Sequence, residues 1–427
     1  MCVSEVFRKH KMLVIEKYCL YRMIVAWISL SSFIYLANAN DSLRKLNTSY
    51  NPGCSDADCS SFKVVYVEAE GLNDTLHYLW DFTQKPSIFM AATPVKSQLN
   101  ISWDHFKGNN NKSITFNEEP IYSFGIVLDK LWEYNDINDT GLMDLKSRDS
   151  RYVRALDMEN FNWTLTSFGN ESVENVDVVM EASSYTPKDS TAVISGSIRL
   201  VLSAFGFRDH YGELPRLLHS ANCTQVELVL DKLKTNSSFS SSRFAVGVLI
   251  ASSDKANTTA SIISRKSLDD EHSPGVFTLV DLQTPMAESG RGGYLQWRPV
   301  AYVAKERNVA NSTETNSYGV TDVKDHTAYL NHTLLYAYYS SNLDSLLVQS
   351  TAVSFGLKED GFYKKTNYTS WTFMMGYGKP PNENFSLLVI FVISIGLGLP
   401  ALLIIISGLV MAVRRISRKN DDLFLNR

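Results

Sequence analysis

The chain is short of most features that would identify a common functional class. Five Cys in 427 residues are too few for a scaffold built on disulfides, and 12 Pro with 22 Gly exclude collagen-like or low-complexity character. Basic residues are not in excess. A formal charge of -4 offers no electropositive surface for nucleic acid, so nucleic acid is excluded as the main partner. No His-Glu-x-x-His or Cys-x-x-Cys pattern is present to hold a metal, no Gly-x-Ser-x-Gly elbow exposes a hydrolase nucleophile, and no Gly-rich loop cradles a phosphate. Between residues 40 and 386 no amphipathic helical period lasts more than about three turns.

Long apolar runs, in contrast, occur at both ends. Met23 to Leu36 is apolar, follows Arg8, Lys9, Lys11, Lys17 and Arg22, and precedes Ala37-Asn38-Ala39, the small-x-small pattern of a cleaved secretory signal. Residues 1–39 are therefore read as a signal peptide, with an uncleaved short anchor as the alternative. Leu387 to Val413 is 27 residues without a charge. As a helix it is about 40 Å long, enough to cross a bilayer. Arg414, Arg415, Arg418 and Lys419 follow at once and predict a cytosolic tail, 414–427, with residues 40–386 in the lumen. That predicted luminal part carries 31 Lys and Arg against 41 Asp and Glu.

Asparagine is the most informative residue of this part. With 29 Asn, 49 Ser and 25 Thr in the chain, about 5 Asn-x-Ser/Thr triplets are expected by chance, and 15 occur. Asn40, at the cleavage point, and Asn384, against the membrane, are set aside. Asn47, Asn73, Asn100, Asn111, Asn138, Asn162, Asn170, Asn222, Asn236, Asn257, Asn311, Asn331 and Asn367 remain as candidate N-glycosylation sites. Heavy N-glycosylation of a bulky, solubilising kind is the expectation.

Three Cys lie outside the signal. Cys54 and Cys59 flank the turn Ser55-Asp56-Ala57-Asp58 and are candidates for a local disulfide; Cys223, inside the triplet Asn222-Cys223-Thr224, is read as a buried free thiol. Short β-branched and aromatic runs at Ile198–Leu202, Phe244–Ile250, Val276–Val280 and Tyr294–Arg298 read as strands. Strands recurring without long helices predict a mainly β fold, an antiparallel sandwich-type luminal ectodomain of one large or two packed domains, plus a single C-terminal transmembrane helix.

Candidates for chemistry are few. The run Asp269-Asp270-Glu271-His272-Ser273-Pro274-Gly275 puts carboxylates beside an imidazole, but Pro-Gly favours a solvated turn before the strand at Val276. Catalytic, cofactor and metal residues are all expected to be none. In the apolar helix Ser394 and Gly398, and Gly408 and Ala412, are four apart, a spacing of small residues that lets another helix approach.

Several segments together resemble the glycosylated lysosomal membrane protein family: Tyr50-Asn51-Pro52-Gly53, Asn73-Asp74-Thr75-Leu76-His77-Tyr78, Asp270 to Phe277, Gln296-Trp297-Arg298-Pro299-Val300-Ala301-Tyr302, and Gly396-Leu397-Gly398-Leu399-Pro400-Ala401. The resemblance covers nearly the whole mature chain. It implies a lysosomal type I membrane protein that serves as accessory subunit of a major-facilitator-type lysosomal transporter exporting small peptides, and that shields this partner from luminal proteases. No catalytic residue is carried over. The bilayer and, as a further expectation, a second copy of the chain complete the partners. One departure is the tail, which has no Tyr for a Tyr-based sorting signal and ends in Asp421-Asp422-Leu423-Phe424-Leu425-Asn426-Arg427. A cell-surface receptor or adhesion protein is the alternative that the same signal, β-rich ectodomain and single span would suit.

Overall fold

The computed structural model describes residues 43–382, apart from Asp56, Asn111, 145–148, 173–174, 187–194 and 268–271, and then residues 391–425. The signal reading for residues 1–39 and the start of the apolar run at 387–390 lie outside the described residues.

In chain order the first part comprises β1 (Lys45–Tyr50), β2 (Val64–Glu70), β3 (Asp74–Asp81), β4 (Ser87–Pro94), β5 (Leu99–Ile101), helix α1 (Trp103–Lys107), β6 (Ile114–Phe116), β7 (Tyr122–Asn135) and β8 (Val153–Asp157). Next come β9 (Phe161–Ser172), β10 (Asn175–Tyr185), β11 (Ser197–Phe205), β12 (Asp209–His210), β13 (Leu218–His219), β14 (Cys223–Asp231) and β15 (Ser242–Lys255). The last part holds β16 (Ser261–Lys266), β17 (Thr278–Gln283), β18 (Gly293–Trp297), β19 (Val300–Tyr302), β20 (Ser312–Ser317), β21 (Thr321–Asp322), helices α2 (His326–Leu330) and α3 (Leu334–Tyr339), β22 (Leu346–Phe355) and β23 (Tyr368–Tyr377).

These strands build two antiparallel sheets. The first runs β1-β2-β3-β4-β7-β15-β22, with β8 continuing the line of β4 along β7. The second runs β9-β10-β11-β14-β23-β18-β17-β16. β19 follows β18 along β23, and β20 bridges from β19 to β22, stitching the sheets together. The β-rich antiparallel architecture with one C-terminal apolar helix is thus what the sequence pattern predicts.

Alternation explains the packing. Leu76, Tyr78 and Trp80 of β3 and Phe244, Val246 and Ile250 of β15 face Val226, Leu228 and Leu230 of β14 and Trp371, Phe373 and Met375 of β23 in one shared core. In β7 the period of two breaks at Asp129, the extra residue of a bulge, so Leu128 and Leu131 both point inward. The displaced Asp129 carboxylate turns outward and pairs with Lys85 at 2.7 Å.

The first sheet is covered on its other face too. Leu79, Phe89, Val127, Leu249 and Val348 pack against Leu330, Leu334 and Leu335 of α2 and α3, with Trp103 and Phe106 of α1 beside them. Gly125 permits the close approach of α3: a Cβ there would stand 2.1 Å from Leu335 Cδ2. Thr333 starts α3 by accepting the Tyr336 N–H at 3.3 Å, and Asp325 starts α2 by accepting that of Ala328 at 3.0 Å.

Past the sheets, among the described residues, one helix is long and apolar enough to cross a membrane, from Phe391 to Arg415. A π turn, Ser394–Gly398, precedes α4 (Leu399–Leu425). Pro400 explains it, since a proline has no N–H for the i→i−4 bond and its ring crowds the preceding turn. The helix runs on through Arg414 and Arg415 to Leu425, so the described part of the tail continues the same helix.

Candidate functional site

The acceptor asparagines put the weight on the surface of the described domain. Seven of the thirteen, Asn47, Asn73, Asn100, Asn138, Asn162, Asn257 and Asn367, are exposed, and Asn222, Asn236, Asn311 and Asn331 are half-buried. Asn111 and the side chain of Asn170 lie outside the described residues. The acceptors stand on tight turns (Asn73, Asn257), on β1 and β9 (Asn47, Asn162) and at the positive-φ position Asn367.

Arg44 organises two of these sites. Its Nε donates to Asn222 Oδ1 at 2.9 Å, while Nη2 meets Asp74 Oδ1 at 2.6 Å and Nη1 reaches the carbonyls of Ala69 and Asp74. The triplets at Asn73 and Asn222 therefore meet at one buried guanidinium, with the Asn222 amide nitrogen left out of the Arg44 contact.

Cys54 and Cys59 form a disulfide with their Cα atoms 5.9 Å apart. Cys223 is a buried free thiol whose pKa burial pushes up to about 11, so it is not a nucleophile at ordinary pH. His272 stacks on His210 with ring centroids 3.5 Å apart, and the Val276 N–H bonds back to the Ser273 carbonyl at 3.2 Å. This segment is the turn that Pro-Gly predicts; its carboxylates Asp269, Asp270 and Glu271 lie outside the described residues. Strand β17 accordingly starts at Thr278, two residues later than the apolar run suggests.

Three of the buried charged groups are held by structural partners. Arg243, with its side chain 2% exposed, meets Asp136 at 3.0 Å, Asp139 at 2.6 Å and Asp360 at 2.8 Å, donates to the carbonyls of Leu357 and Gly361, and lies over the Phe362 ring. Glu133 is paired with Arg154 and accepts from Ser242 Oγ and the Asn236 N–H, each at 2.8 Å. Asp254 takes the Tyr122 hydroxyl at 2.6 Å, Ser252 Oγ at 2.8 Å and the Met286 N–H at 3.1 Å. Carboxylates held this way have spent their acceptor capacity on the fold.

Burial also moves the titration of two histidines and an aspartate. His77, between Tyr66 and Thr93, and His219, stacked on Phe205, are held down to about 4, and Asp81 is raised to about 6. Over β7, β8, β15 and β22 an open cleft of about 790 Å3 has a mixed lining that includes Lys130, Trp132, Asp322 and Tyr329. Among the described residues no group of three or more His, Cys, Asp and Glu is placed to hold a metal ion.

In the apolar helix Ser394 and Gly398 bracket the π turn, whereas Gly408 and Ala412 lie in regular α-helix. Sequence reasoning missed Arg44 and Arg243. Their signal is a lone Arg beside or inside an apolar strand, which only tertiary contacts distinguish from a surface Arg.

Comparison with known proteins gives a consistent result over nearly the whole chain. The family described as glycosylated lysosomal membrane protein matches residues 63–418. Similar relatives include glycosylated lysosomal membrane protein A of Xenopus laevis, 28% identical over 380 residues, covering 87% of this chain and 90% of that protein. The glycosylated lysosomal membrane protein of Danio rerio is 29% identical over 395 residues, 89% of this chain and 92% of the relative, and that of Homo sapiens 25% identical over 357 residues, 82% and 83% respectively.

Proposed function

Since the chain belongs to the glycosylated lysosomal membrane protein family, we propose that it works as a non-enzymatic, glycan-shielded subunit of the lysosomal membrane. In this reading the domain 43–382 faces the lumen, α4 anchors it, and its task is to cover and stabilise a major-facilitator-type transporter that exports small peptides. One observation carries the reading: eleven acceptor asparagines are exposed or half-exposed around a domain in which the buried Glu133 and Arg243 are committed to structural pairs. Such a surface resists proteolysis by excluding proteases, and a domain of this size docked on a partner's loops suppresses their local opening. A single span beside a polytopic partner supplies the anchoring that keeps the two together.

Affinity purification of the full-length protein from lysosomal membranes, with identification of the co-eluting chains, tests this. A polytopic transporter in near-equal amount is the expected result. Elution alone, or turnover of a glycoside, ester or peptide by the purified protein, would overturn it.

A further inference from the structure

Among the described residues, the acceptors that lie within strands of the two large sheets are Asn47 on β1 and Asn162 and Asn170 on β9. All three are on edge strands, since β1 pairs with β2 and β9 with β10 on one side only. The two edges meet on one side of the sandwich, where the Tyr50 ring at the end of β1 stands 6.5 Å from the Phe168 ring of β9.

An open edge offers unpaired N–H and C=O groups to any strand that comes alongside, and charge is the usual protection. Strand β16, the opposite edge of the second sheet, carries Arg265 and Lys266, and β1 carries Lys45. Strand β9 lacks this. From Asn162 to Asn170 its sequence, Asn-Trp-Thr-Leu-Thr-Ser-Phe-Gly-Asn, holds neither a charge nor a proline. Thr164, Thr166 and Ser167 are exposed, and Phe168 is 40% exposed. A charge-free, β-branched and aromatic run on an exposed edge is a pairing hazard.

The acceptors sit where they limit that hazard. A bulge leaves Thr166 as the extra residue between the pairs Leu165–Met180 and Ser167–Val179, and so divides the run into Trp163–Leu165 and Ser167–Gly169. Asn162 adjoins the outer end of the first half and Asn170 that of the second. An added strand would lie about 5 Å from β9, within the space that a bulky glycan at either end takes up.

We propose that β9 is a self-complementary edge that pairs with β9 of a second copy of the chain when it is bare, and that glycans at Asn162 and Asn170 hold it closed; the proposal rests on the occupied acceptors of the glycan-shield reading. The second copy is the occupant that the charge pattern favours. Two β9 strands related by a two-fold axis bring no like charges together between Asn162 and Asn170, whereas two copies of β16 would set Arg265 and Lys266 against each other. The same two-fold places the Asn162 end of each copy beside the Asn170 end of the other, so the glycans of both copies crowd the two ends of the contact.

The full-length protein in detergent tests this by light scattering after size exclusion. Asn162→Gln with Asn170→Gln should roughly double the protein mass of the particle, and the amides of Trp163 to Gly169 should exchange hydrogen more slowly in that variant. The pair Asn73→Gln and Asn257→Gln removes as many acceptors from exposed turns and should leave the mass unchanged. Ser167→Lys, at an exposed edge position, should return the double variant to the mass of the unmodified protein. Endoglycosidase treatment of the folded protein makes the same comparison without relying on biosynthesis of the variants: the unmodified sequence should associate and Ser167→Lys should not.

A bare β9 that leaves the mass unchanged overturns the proposal. Equal association of the turn control overturns it too, as does association that Ser167→Lys fails to reverse. If mass spectrometry finds Asn162 and Asn170 without glycans in the unmodified protein, the glycan-shield reading fails at this edge instead.

Discussion

Arg243 Nε lies 3.0 Å from Asp136 Oδ2, and both side chains are almost wholly buried, at 2% and 4% exposure. This pair closes the end of the sandwich where β7 leaves for β8, because Asp136 also accepts the N–H groups of Thr140 and Gly141 at 2.9 and 2.7 Å. Replacing Arg243 with Met leaves Asp136 buried without its partner guanidinium. The expected loss is about 3–5 kcal/mol of stability, read as a lowered denaturant midpoint; a loss below about 1 kcal/mol would show that water replaces the guanidinium.

The acid response has opposing parts. His77 and His219 bind protons near 6.5 when unfolded but only near 4 when folded, so their contribution is full above pH 6.5 and is lost as pH falls towards 4. Asp81 works the other way. It releases its proton near 3.8 unfolded and near 6 folded, so its contribution is full below 3.8 and is lost as pH rises through 6. Relative to the unaltered protein, Asp81→Asn should therefore stabilise more at pH 7 than at pH 5, and His77→Gln should flatten the decline between pH 6.5 and 4.5. Thermal unfolding of the variants at both pH values measures this, and an equal shift at both would refute the assignment.

Glycan occupancy follows from exposure. Limited enzymatic deglycosylation should produce a ladder with at least seven steps, one for each exposed acceptor. A ladder of one or two steps would contradict the shielding mechanism.

Much of the architecture was legible in the sequence, for reasons specific to each segment. The alternation in Ile198-Arg199-Leu200-Val201-Leu202 is that of a strand covered unevenly on its two sides, and β11 is such a strand. The third layer was not legible, because β3 and β4 are buried on both faces and read as unbroken apolar runs, for which periodicity gives no partner. Helices α2 and α3 have five and six residues, too short for a helical period to register. Of the site, the Cys54–Cys59 pair could be read directly, since it depends on local sequence. The contact between the loops 207–216 and 272–277 could not, because Pro215 and Ser273 meet only in the folded chain.

Within the C-terminal apolar helix, Gly398 closes the π turn and Gly408 lies a further ten residues on. If the proposed transporter packs against this helix, Gly398→Leu should lower its co-purification several-fold with no change in the stability of the domain 43–382, since a side chain there blocks close helix approach. Full recovery would place the contact entirely outside the bilayer.

The lifetime of the proposed partner transporter tests protection by covering most directly. In cells lacking this protein, a pulse-chase of the transporter should show unchanged synthesis and a shortened half-life, and inhibition of lysosomal proteases should restore it. A transporter that persists without this protein, or that stays depleted when the proteases are inhibited, would contradict the mechanism.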